Sequence, residues 1–81
     1  MNYYEFCTQM EDVCLSLAHL TTSSEIGVLA IFAKAAERYA QIRKEVINEN
    51  KVDAPALPEE LRILESARAY LERQTLNSLG E

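Results

Sequence analysis

The chain has 81 residues, 48% of them hydrophobic and 26% charged, with only two Gly and two Pro and a formal net charge of −5. That composition argues against disorder and against a strand-and-turn fold, and the length allows one domain with one modest core, stabilised by only about 3–5 kcal/mol. All the cations (Lys34, Arg38, Arg43, Lys44, Lys51, Arg62, Arg68, Arg73) follow position 33, so the clustered basic surface that nucleic acid or an anionic membrane requires is not expected.

Asn2 is placed to cap a first helix, with Glu5 three residues on to complement the cap. The spacing predicts a helix over 3–20. Tyr3, Met10 and Leu17 alternate with Phe6, Val13 and Leu20 at three and four residues to make an apolar stripe, and Cys7, Cys14 and Ala18 widen one flank. Glu5, Thr8, Asp12, Ser16 and His19 take the opposite face, and Tyr4 and Leu15 fall at its border. Cys7 and Cys14 would be about 10.5 Å apart along such a helix at 1.5 Å per residue, too far to bridge. Two reduced, partly buried thiols of a cytoplasmic protein are expected. The acids Glu5, Glu11 and Asp12 interrupt any early apolar run, so no cleaved leader is expected.

Thr22-Ser23-Ser24-Glu25 matches the S/T-x-x-E capping box. A second helix is expected over 23–50, folded back on the first across a short connection. The box also breaks the weakly charged run from Val13 to Ala33, so no membrane span is expected. Val28, Phe32, Ala35, Tyr39, Ile42 and Val46 form one stripe of this helix, and Leu29, Ala33, Ala36, Ala40 and Ile47 a second beside it. An apolar arc this wide predicts two neighbours, which makes this longest helix the central one of the bundle. Its charged end should fray or cap near Asn50.

Val52 to Leu57 reads as a linker, with Pro55 extending Ala54. Pro58 then opens a third helix, expected over 58–75, with Glu59 and Glu60 in its first turn. Leu61, Leu64, Ala67 and Leu71 supply its core stripe, flanked by Ile63 and Tyr70. The polar Gln74, Thr75 and Ser78 end the stripe, so 74–81 reads as a loosely packed tail of a single 1–81 helical domain.

Little chemistry is written into this pattern. His19 stands alone, Cys7, Cys14 and His19 lack the three- or four-residue spacing of helical metal ligands, and neither glycine belongs to a phosphate loop. The pairs Glu11-Asp12 and Glu59-Glu60 are adjacent, which on a helix turns them about 100° apart and denies them a shared proton. A helical enzyme binding a dianion would need cations within the bundle, and the first helix has none. We therefore expect an all-α, antiparallel three-helix bundle without catalytic, metal or cofactor sites. The apolar supply of the first two helices exceeds what one short helix can cover, so a homodimer is expected. The function expected is that of a non-enzymatic adaptor, inhibitor or co-chaperone binding another protein through Tyr4, Leu15 and Ile31, with Glu11 and Asp12 as an acidic rim favouring a basic partner. Two alternatives are a nucleic-acid regulator using Arg38, Lys44 and Arg62, and a small enzyme joining His19 and Cys14 across a dimer interface.

Overall fold

The computed structural model describes residues 1–21 and 25–79. It is all-helical, with α1 over Tyr3–Leu20, α2 over Ile26–Asn48 and α3 over Pro58–Leu79. Asn2 caps α1, its Oδ1 accepting the Glu5 N–H at 2.7 Å. At the other end the Thr21 hydroxyl donates to the Leu17 carbonyl at 2.8 Å and closes the last turn.

The second helix starts at Ile26, later than its sequence pattern suggests, with Glu25 before it making no side-chain cap bond. The Thr22 side of the expected capping box lies outside the described residues. At its far end α2 stops in a Schellman arrangement: the Lys51 N–H reaches the Val46 carbonyl at 2.9 Å and the Asn50 N–H the Ile47 carbonyl at 3.1 Å. Asn50 takes the left-handed conformation this requires, with φ 55°. The third helix begins as expected at Pro58, where Glu60 reaches back to accept the Leu57 N–H at 2.9 Å. It runs on to Leu79 rather than stopping near position 75, although every side chain from Thr75 to Leu79 is exposed. No breaker interrupts this stretch, so the helix outlasts its packing.

The central helix is α1, and this corrects the expectation that α2 holds that place. α1 packs against both α2 and α3, while among the described residues no Cα of α2 comes within 8 Å of one in α3. The core is the α1 stripe of Phe6, Cys7, Met10, Val13 and Leu17 with Leu64 of α3; Phe32, Tyr39 and Ile42 of α2 and Ala67 and Leu71 of α3 pack onto it. Two physical causes put α1 in the middle. The second stripe of α2 is mostly alanine, so its burial contributes little. The linker also ties the start of α3 to the start of α1: the Tyr3 N–H donates to the Ala54 carbonyl at 2.6 Å and the Ala56 N–H to the Met1 carbonyl at 3.1 Å, an isolated antiparallel bridge between Asn2 and Pro55.

Contacts order the elements along the molecule. Phe6 meets Tyr39 edge to face at 6.0 Å between ring centroids and stacks on Tyr3 at 5.8 Å. At the opposite end Leu17 and Leu20 share a small cavity of about 60 Å³ with Val28 and Phe32 of α2 and Tyr70 and Gln74 of α3. The Cα trace measures 44 × 21 × 16 Å. This rod leaves much of α2 without a neighbour.

Candidate protein-binding surface

The first surface is the seam between α1 and α2. Tyr4, Glu11 and Leu15 follow one another at seven and four residues on one flank of α1. From α2, Arg43 comes to this flank: its Nη1 donates to Glu11 Oε1 at 2.5 Å, in an ion pair whose two side chains both keep partial contact with solvent. That bond, more than its neighbours Tyr4 and Asp12, holds the guanidinium above its ordinary pKa. On α2 the side chains in line with Arg43 are Ala36, buried, and Ile47, 48% exposed. Leu15 is 44% exposed. The flank therefore presents apolar side chains around a pair of charges that neutralise each other.

The structure gathers four of the expected residues here, Tyr4, Glu11 and Asp12 around Arg43 and Leu15 one turn further. Ile31 does not join them. It stands on the other flank of α2, one turn from Val28, whose side chain lines the cavity shared with Tyr70 and Gln74, and it is 66% exposed. Arg43, which pairs with Glu11 across the α1–α2 interface, was not among the expected surface residues. Its signal was present, since Arg43 interrupts the line from Ala36 to Ile47 and Glu11 interrupts the line from Cys7 to Cys14. A cation in one apolar stripe and an acid in another are the marks of a pair across a helix interface.

The second surface is the open space between α2 and α3, where Val28 of α2 and Tyr70 of α3, both exposed, line the small cavity. Ile31, one turn beyond Val28, and Ile63, two turns before Tyr70, are exposed as well. Ile26, in the first turn of α2, is 70% exposed. An added Cβ at neighbouring Gly27 would meet nothing within 4 Å. Among the described residues, the first turns of α2 are thus apolar and largely exposed.

Burial raises the thiols of Cys7 and Cys14 above the ordinary range, with Glu60 adding to the effect at Cys7 and Arg43 opposing it. Both thiols are free and buried, whereas His19 is exposed. Among the described residues no group of three His, Cys, Asp or Glu side chains is placed to hold a metal ion, and no helix is long and apolar enough to cross a membrane. Arg38, Lys44 and Arg62 are exposed on different faces of two helices. Compared with protein-family models, curated proteins and solved structures, the chain matches none.

Proposed function

We propose that this protein is a non-enzymatic interaction module, an adaptor, inhibitor or co-chaperone, that binds protein through the seam around Leu15 and self-associates as a homodimer. The observation that carries this reading is the exposure of Leu15 and Ile47 on either side of the neutral Glu11–Arg43 pair. In this reading α2 runs antiparallel to α1 and α3, and the α1–α2 hairpin of a second copy lies on the seam to form a four-helix layer. Ala33 and Ala40, small and accessible, let the helices approach closely. Asp12 and Glu5 at the edge would favour a basic partner over an acidic one. Free buried thiols suit a cytoplasmic setting.

Shielded, poorly ionised thiols are weak nucleophiles, which favours this reading over an enzyme pairing Cys14 with His19. The net charge of −5 favours it over a nucleic-acid regulator. The test is affinity capture from the native host with wild type and Leu15→Glu as baits. Partners held by wild type and lost from the variant support the seam as the binding surface. The same partners on both baits, or none on either, would contradict it.

A further inference from the structure

The Glu11–Arg43 pair bridges the seam from α1 to α2, so its two charges sit on different helices and form a dipole that runs across the seam. Both side chains keep partial contact with solvent. The bond engages one guanidinium nitrogen and one carboxylate oxygen, which leaves further donors and a second acceptor for charges brought up from outside. Around the pair the seam alternates in size. Leu15 of α1 and Ile47 of α2 are exposed, whereas Ala40 of α2 and Thr8 of α1 are small and half-buried. The Thr8 hydroxyl already donates to the Tyr4 carbonyl at 3.0 Å. With α2 antiparallel to α1, Ala40 stands at the height of Leu15, about one turn to one side of the pair, and Thr8 at the height of Ile47, about one turn to the other.

A twofold axis lying in the interface relates two copies face to face in one of two ways. An axis perpendicular to the helices lays α1 on α1 and α2 on α2. The two pairs then stack like charge on like or, with the axis moved along the rod, miss one another. An axis parallel to the helices lays α1 of each copy on α2 of the other. Rotation about that axis leaves height along it unchanged, so by symmetry the pairs meet at one level, each Glu11 facing the other copy's Arg43. We infer that a second copy docks on the seam about a twofold axis parallel to the helices, the two Glu11–Arg43 pairs closing into a ring of four alternating charges. Leu15 then lies over Ala40 of the other copy and Ile47 over its Thr8, large on small, and each of the four helices has antiparallel neighbours. Charge complementarity names the occupant, because the dipole across the seam is matched by its own inverted copy. The inference rests on the self-association reading and adds to it the orientation of the copies and the residues that set it.

The test mixes wild type with the double variant Glu11→Arg/Arg43→Glu, which reverses the dipole and keeps an ion pair within each copy. One of the two proteins carries a heavy-nitrogen label, so that native mass spectrometry separates the three dimers. Each protein alone should be a dimer, since its ring alternates in either sense. In a mixed dimer like charges face each other at both contacts, so mixed dimers should fall about threefold or more below the half expected of random exchange, and added salt should lessen the deficit. Mixed dimers at the random proportion would overturn the ring, and an excess of them would place the axis perpendicular to the helices; in either result self-association itself stands. A folded double variant that is monomeric would also overturn the ring. A wild type that stays monomeric removes the self-association reading and the inference with it. Should the double variant fail to fold by circular dichroism, Glu11→Arg and Arg43→Glu serve singly: each should be monomeric alone and the two should dimerise when mixed, whereas either one dimeric alone would overturn the inference.

Discussion

Arg43 of α2 and Glu11 of α1 form an ion pair across the helix interface, each side chain about one-fifth to one-quarter exposed at 24% and 19%. The pair fixes the register of α2 on α1 at the end where Phe6 meets Tyr39. Because it retains solvent contact, its contribution is that of a well-placed surface pair, about 0.5–1 kcal/mol. A double-mutant cycle with Glu11→Gln and Arg43→Met should give a coupling energy in that range, reduced by added salt. A coupling of zero would mean that the pair has no part in holding the helices.

Leu64 is the buried residue through which α3 enters the core. Leu64→Ala removes a side chain that α1 surrounds, and such truncations cost about 2–5 kcal/mol. Against a total near 3–5 kcal/mol for a chain of this size, the variant should lose its cooperative thermal transition. Retention of the wild-type melting curve would contradict the α1-centred core.

Gly27 offers the opposite change. It lies in the first turn of α2 with open space where a Cβ would stand, so Gly27→Ala should stabilise by about 0.5–1 kcal/mol. For a domain of this size that is a rise of several degrees in Tm, about 4–8 °C per kcal/mol. A lower Tm would mean that the start of α2 is covered or differently folded.

The pH dependence follows from burial. Desolvation raises the thiols of Cys7 and Cys14 and the phenols of Tyr3 and Tyr39, with Glu60 adding to the effect at Cys7 and both tyrosines. Each of these groups holds its proton more tightly in the folded chain than in the unfolded one. Their contribution is therefore complete below the ordinary thiol range, about pH 8.5, and is lost as pH rises through the raised thiol and then phenol values. The urea midpoint should fall steadily from about pH 8.5 upward, and a midpoint that stays level or rises there would contradict the burial of these groups.

The helices themselves were legible because their devices are local. The Asn2 cap, the α1 stripe and Pro58 at the start of α3 each act within a turn, and each stands where the spacing placed it. The order of packing was not legible. Backbone bonds from Met1 and Tyr3 to Ala54 and Ala56 direct α3 onto α1, and backbone groups leave no mark in a sequence. The wide apolar arc of α2 pointed to two neighbours, yet alanine fills much of it and Ile26 and Ile31 remain exposed. On the candidate surface, Tyr4, Glu11, Asp12 and Leu15 could be placed together from their spacing on one helix. Ile31 could not, because its flank depends on where α3 goes.

The most direct test of the central claim is the solution mass of the chain by light scattering at micromolar concentration, measured for wild type and for Leu15→Glu with helicity checked by circular dichroism. The account predicts two chains for wild type and one for the variant, both helical. A wild-type mass of one chain, or a Leu15→Glu protein that remains a dimer, would contradict self-association through the seam.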